Sequence, residues 1–218
     1  MTVLAFLGGT GDQGRGLARR LALAGHPVVL GSRSAERAAT AAAGLTESLP
    51  AGAEISGATN AEAAAAAEIA VVAVPYDGHA ALVADLAPQL AGKIVVDCVN
   101  PLGFDERGAY AIEVAEGSAA EQAQALLPDS TVVAAFHHVS AVLLLDPGVD
   151  RMDTDILVLG DVREATDRVQ SLVEDIPGMR GIYAGRLRNA RQVEALTANL
   201  ISVNRRYKAH AGLRVTDV

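Results

Sequence analysis

The chain has 218 residues, half of them apolar and a fifth charged, which excludes a disordered segment and allows one α/β domain with a sizeable core. Its 18 basic and 26 acidic residues leave a formal charge of −8 with no basic block, so nucleic acid is not an expected partner. No apolar run approaches the roughly 18 residues that span a bilayer, no secretory leader pattern precedes the first strand, and Cys98 has no second cysteine to pair with; the expectation is a cytoplasmic protein without membrane contact.

The first readable element is the apolar strand Val3–Leu7. It runs directly into Gly9-Thr10-Gly11-Asp12-Gln13-Gly14, a G-x-G-x-x-G pattern, and then into a helix from about Asp12 to Ala24. That order is the context a pyrophosphate cradle requires. Gly9 permits the tight turn, Gly11 lets backbone N–H groups approach the phosphates, and Gly14 lets the helix pack close, its positive end toward the anion. Leu17, Ala18, Leu21 and Ala22 form the helix's apolar face, with Arg15, Arg19 and Arg20 mostly off it. Gly25 ends the helix, and Val28–Leu30 is the second strand of a βαβ unit.

The end of that second strand distinguishes the two nicotinamide coenzymes. A reader of NAD places a carboxylate there for the ribose 2′-OH. Here the chain has Gly31-Ser32-Arg33, and an arginine fork with a neighbouring hydroxyl suits the 2′-phosphate of NADP. Arg37, one helical turn on, either reaches the same phosphate or pairs with a neighbouring acid.

An α/β rhythm continues through an Ala-rich helix to about Leu49, a strand near Glu54–Gly57 and a short helix Ala61–Ala67. The apolar strand Glu68–Val74 stops at Pro75-Tyr76, and a helix from about Asp77 to Ala91, a strand Ile94–Asp97 and a loop from Asn100 to Gly108 follow. The fold class is a doubly wound, mostly parallel Rossmann sheet, whose ligands sit at the strands' C-terminal ends. That places Thr10, Asp12, Gln13, Ser32, Arg33, Val74, Pro75, Tyr76, Asn100 and Pro101 around one mouth, with Val74, Pro75 and Tyr76 against the adenosine or nicotinamide ribose; Pro75 also reads as a plain strand stop. Cys98 reads as a small buried hydrophobe.

Further on, a helix from about Ser118 to Leu127 precedes a strand Thr131–Phe136 that runs into His137-His138. Strand alternation would point these two rings to opposite faces, so no metal site is expected. An irregular loop around Asp146, a strand Asp155–Leu159, a helix from about Arg163 to Ile176, a strand near Gly181–Tyr183 and a helical segment from about Arg186 to Ala209 complete the chain. The stripe Val193, Leu196, Thr197, Leu200 and Ile201 on the last helix reads as core packing, with a homodimer partner as a further surface for it.

Gly8-Gly9-Thr10-Gly11-Asp12-Gln13-Gly14 with Gly31-Ser32-Arg33 resembles the NADPH:coenzyme F420 oxidoreductase family. Ser118–Glu121, the strand ending at His137, Ala184-Gly185 before Asn189, and Val193–Thr197 resemble family segments in the same order, so the likeness covers most of the chain. It implies hydride transfer between NADP(H) and the 8-hydroxy-5-deazaflavin coenzyme F420. The deazaflavin would lie near His137, the implied catalytic contact, and near the C-terminal segment around Leu213. The chain is then one domain, 1–218, with a core of about 1–160 and a portion of about 161–218 helping to close the deazaflavin pocket. The sequence departs from the family at His138, Val139 and Ser140 and along Asn100–Tyr110. Other readings are an NADPH-dependent imine or keto reductase, a non-catalytic NADP-sensing module, and a likeness to the reductase part of membrane metalloreductases.

Overall fold

A computed structural model describes residues 1–218. The chain opens with β1 (Leu4–Leu7), α1 (Asp12–Leu23), β2 (Val28–Ser32), α2 (Ala35–Thr46), β3 (Ile55–Thr59), α3 (Asn60–Ala66) and β4 (Ile69–Val72). Polar caps start two of these helices: Ser34 Oγ accepts from Arg37 N ahead of α2, and Thr59 with Glu62 forms a capping box on α3. The helix expected from Asp77 to Ala91 is broken. A 3-10 turn at Tyr76–Gly78 leads into α4 (His79–Asp85), and α5 (Ala87–Leu90) restarts around Pro88, which has no N–H to continue the ladder.

After β5 (Ile94–Asp97), the expected loop proves to be a hairpin of β6 (Leu102–Asp105) and β7 (Gly108–Ala111), a small sheet of its own. Asp105 Oδ1 accepts from Arg107 N and Gly108 N, and Gly108 takes φ +123°, so one short acidic turn closes it. Next come α6 (Ala119–Leu126), β8 (Thr131–Ala134) and α7 (Ala141–Leu145), a short helix ahead of the irregular loop expected around Asp146. The chain ends with β9 (Asp155–Gly160), α8 (Arg163–Glu174), β10 (Arg180–Gly185) and α9 (Ala190–Tyr207).

The main sheet has the order β10-β9-β8-β5-β4-β1-β2-β3. β3 through β8 in that order are parallel, while β9 runs antiparallel to β8 and parallel to β10. The fold is therefore the doubly wound, mostly parallel sheet that the βα rhythm predicts. Strand alternation divides the core: Leu4, Phe6 and Val71 face α1, α2, α7 and α8, whereas Ala5, Leu7 and Val72 face α3 to α6 and the start of α9. Alanines such as Ala63, Ala119 and Ala123 supply much of the second face, so helices lie close to the sheet in a chain with no tryptophan.

One arginine expected off α1's apolar face is at the centre of its packing. Arg20 is only 4% exposed, and its guanidinium donates to the carbonyls of Leu143, Leu144, Asp146 and Val149. Those groups are the C-terminal end of α7 and the turn after it, where the helix's own ladder runs out of donors. Arg19 is buried as well. α7 covers a face of α1 that a helical wheel assigns to solvent. Gly16 permits the approach, since a Cβ there would lie 2.6 Å from Leu144 Cβ.

On the other side of the sheet lies a buried polar network. His79 Nε2 is 2.6 Å from Asp97 Oδ2, both side chains fully buried, and His79 Nδ1 is 3.1 Å from Gln122 Oε1. Burial by itself lowers the His79 pKa, but the hydrogen bond and charge of Asp97 outweigh it and raise the value. Glu194 of α9 accepts from Ala119 N and Ala120 N at 3.0 and 3.1 Å, which docks α9 on the start of α6. Burial raises its carboxyl to about 7 despite these two bonds.

The raised pKa of Glu194 predicts a pH signature. A folded-state value above the unfolded one adds stability that is complete below the ordinary carboxyl range and is lost as pH rises through about 7. The effect is on the order of 3 kcal/mol at most. The midpoint difference between the parent and Glu194→Gln, followed by thermal unfolding, should therefore shift in the parent's favour as pH falls from about 7 to about 4.5. His137 and His138, shifted the other way, are common to both proteins and drop out of the difference. A difference independent of pH would show that Glu194 titrates normally.

Candidate active site

The C-terminal ends of β1, β4, β5 and β8 open on a cavity of about 590 Å³. Gly11, Asp12 and Gln13 form one side of it, Val74, Pro75 and Tyr76 follow β4, Val99 and Asn100 follow β5, and His137 and His138 follow β8. Thr197, Leu200 and Ile201 of α9 close it from above, with Leu102 and Phe104 of the β6–β7 hairpin at the rim. The apolar stripe of α9 is thus divided: Val193 is core, while Thr197, Leu200 and Ile201 are half-buried and border the cavity.

The glycine loop has the shape its spacing implies. Gly8 turns with φ +66°, a Cβ on Gly9 would lie 2.5 Å from Phe6 O, and one on Gly14 would lie 2.6 Å from Gly9 Cα. Around Gly11 there is open space. No side chain caps α1, so the first-turn N–H groups and the positive end of the helix remain available to an anion. Two glycines are needed for packing and one leaves room for a ligand, which is the pattern expected of a pyrophosphate cradle.

Beside it lies a recess of about 450 Å³ lined by Thr10, Arg15, Ser34, Glu36, Arg37 and Thr40. Arg37 borders it without an ion pair, Arg33 is exposed and likewise unpaired, and Arg15 pairs with Asp12 at 2.7 Å. The serine at the recess is Ser34. Ser32 is buried, and its Oγ accepts from Ser34 N at 3.4 Å, so it shapes the turn that presents Arg33.

The His137-His138 turn departs from expectation. β8 ends at Ala134, and Phe136 takes φ +62°, so strand alternation no longer operates where the histidines stand. Both residues border the same cavity, but their rings lie toward different sides of β8: His137 by Asp97 and the Cys98–Val99 backbone after β5, and His138 by Asp155 and Leu157 of β9. The turn is held from three directions. Gln13 Nε2 donates to Phe136 O at 3.1 Å, Asn100 Nδ2 donates to His137 O at 2.8 Å, and Thr197 Oγ1 lies 3.2 Å from His137 O.

His137 is 3% exposed, and neither ring nitrogen has a hydrogen-bond partner. Burial pushes its pKa down to about 4, so the ring is neutral at pH 7. His138 is also pushed to about 4, by burial and then by His137; its Nε2 lies 3.5 Å from Leu157 N, and Nδ1 is unpartnered. Cys98, at the cavity floor, donates to Val72 O at 3.0 Å, and burial raises its thiol pKa, which leaves it a packing residue.

Leu213 does not reach the cavity. Its backbone pairs with Thr154 and Asp155 at the start of β9, and Arg180 and Arg214 hold Asp155 well below the usual carboxylate range. This clamp leaves Ala211 as the residue of the C-terminal segment that touches the cavity. Thr197 was legible only as the one polar residue in an apolar stripe, and Ser34 only as a helix cap.

Residues 3–101 match the family described as NADP oxidoreductase, coenzyme F420-dependent. Over 221 residues the chain is 42% identical to the F420-dependent NADP reductase of Methanothermobacter marburgensis, covering 99% of this chain and 98% of that one. A crystal structure from Arthrobacter sp. FB24, described as an F420-dependent NADP-reductase, superposes with a TM-score of 0.80 at 30% identity over 99% of both chains. An imine reductase of Streptomyces aurantiacus shares the fold alone, at 22% identity and a TM-score of 0.61, and this chain covers 61% of it. With one relative matched end to end and the glycine loop and cavity in place, the chain belongs to the F420-dependent NADP reductase family.

Proposed function

We propose that this protein is an oxidoreductase that transfers hydride between NADP(H) and coenzyme F420. The observation that carries the reading is one cavity with an anion-binding glycine loop on one side and a buried, neutral, firmly held imidazole turn on the other. Gly9, Gly11 and Gly14, with the first turn of α1, hold the pyrophosphate; Arg33 and Arg37, with Thr10 and Ser34 beside them, receive the 2′-phosphate. Asp12 and Gln13 flank the pyrophosphate, and Val74, Pro75 and Tyr76 meet the nicotinamide ribose. When bound, NADPH supplies the hydride, and the protein contributes orientation and exclusion of water. His137 contacts the deazaflavin and orients it. Its carbonyl is held by Asn100 and Thr197, so the ring stays directed without needing a charge.

An imine or keto reductase remains the second reading, supported here by fold likeness alone. Mixing the protein with NADPH and either coenzyme F420 or a cyclic imine, and following absorbance, separates the two. We further propose a single functional unit, 1–218, in which residues of about 161–218 help to close the pocket, acting in the cytoplasm as a homodimer. The dimer rests on the exposed apolar groups of α9, Val203 and Tyr207, the latter 73% exposed.

Three measurements test these assignments. Arg33→Ala should raise the KM for NADPH about ten- to a hundredfold, the cost of roughly 1.5–3 kcal/mol for a charge-assisted contact, with little change for NADH. Equal losses with both coenzymes would make Arg33 a fold residue.

His137→Ala should lower turnover with the deazaflavin about five- to thirtyfold while NADPH affinity holds, with His138→Ala, whose ring lies against β9, as the control. Steady-state kinetics with each substrate varied in turn reads both effects. A silent His137→Ala would remove it from the site. Sedimentation at micromolar concentration tests the dimer, and a clean monomer would refute it.

A further inference from the structure

The β6–β7 hairpin is a two-stranded sheet joined to neither edge of the main one. Such a hairpin is marginal alone and takes its stability from what it rests on. Its root is firm: Ile112 N donates to Pro101 O at 2.8 Å, and Asn100 is held by Thr197 and by the His137 carbonyl. Its two faces differ. On one face Tyr110 lies across Gly103, where a Cβ would come within 2.4 Å of Tyr110 Cζ. On the other, Leu102 and Phe104 border the cavity. The cross-strand partner of Phe104 is Ala109, too small to cover it, and the residue is 68% exposed.

A large apolar ring left in water at the rim of a partly apolar cavity is short of one contact surface, and a planar heteroaromatic ring inside the cavity supplies it. We propose that Phe104 is a binding residue for the planar ring of the second coenzyme, covering that ring at the cavity rim and excluding water from it. The inference rests on the hydride-transfer reading and adds a specificity element to the same site. Phe104 shares the cavity with Gly11 to Gln13 but is no part of the phosphate recess, and the arm of the test with NADP+ alone distinguishes the second coenzyme from NADP(H) as its partner.

The chain has no tryptophan, so Phe104→Trp installs a single reporter. Acrylamide quenching of this residue is measured alone, with NADP+, and with NADP+ plus coenzyme F420. The expected result is little change with NADP+ and a fall of about threefold or more in the quenching constant once the deazaflavin is added, as the indole becomes covered. Shielding already complete without ligand, or none with both ligands, overturns the proposal.

Phe104→Ala provides a second reading. It should raise the KM for coenzyme F420 about tenfold and leave the KM for NADPH within about twofold, and Phe104→Tyr should restore most of the loss. Equal rises in both KM values would mean that the hairpin had collapsed, and would refute the role. Turnover of F420 by the unaltered chain is recorded first. Turnover without shielding removes only Phe104 from the site, whereas absence of turnover removes the hydride reading and this inference with it.

Discussion

The crossing of β1 and α1, where Gly14 rests on Gly9 with no room for a Cβ, controls the position of almost everything at the cleft. It brings the helix close enough for its first turn to face the cavity. The same helix then reaches two segments more than a hundred residues away. Gln13 holds the Phe136 carbonyl, and Arg20 gathers the carbonyls that end α7. Both sides of the cavity are therefore referenced to one rigid rod. A shift of α1 would move the phosphate cradle and the histidine turn together, which preserves the distance between the two ligands it separates.

The chemistry of the cavity follows from burial. Imidazoles taken out of water lose their affinity for a proton, so His137 and His138 offer neutral ring nitrogens and no charge. Cys98 is silenced in the same way, its thiol kept protonated at the cavity floor. The arginines stand at the periphery: Arg37 at the outer recess, Arg33 exposed on the preceding turn, and Arg180 and Arg214 in the Asp155 clamp on the tail. Behind the cleft, His79, Asp97 and Glu194 connect α4, β5, α6 and α9 through buried hydrogen bonds. Their cost is desolvation, and what they provide is a fixed seat for α9, whose Thr197 completes the support of His137.

Local pattern was enough wherever a residue's role depends on its immediate neighbours. The apolar run before Gly9, the glycine spacing, and the absence of a carboxylate after Leu30 predict a strand, a cradle and a 2′-phosphate reader from the chemistry of a few adjacent residues. The unbroken apolar runs of β1 and β4 likewise foretell a sheet covered on both faces. The doubly wound order follows, because right-handed crossovers leave few other arrangements.

Tertiary structure decided what depends on groups distant in sequence. Arg20 looks solvent-facing on a helical wheel, and only α7 packing over that face makes it a buried carbonyl clamp. His137 and His138 look like opposite faces of a strand. They nonetheless border one cavity because β8 ends early and Phe136 turns left-handed, a conformation stabilised by Gln13, Asn100 and Thr197 from three separate elements. Leu213 is withheld from the cavity by an ion cluster whose members lie at residues 155, 180 and 214. The sequence by itself determined the sheet, the close glycine packing of β1 and α1, and the arginine in place of a carboxylate after β2, since these arise from backbone sterics and side-chain period over short stretches. The convergence of the histidines on one cavity, the burial of Arg20 and the path of the tail were left to the fold, since long-range contacts override local periodicity once they satisfy buried polar groups.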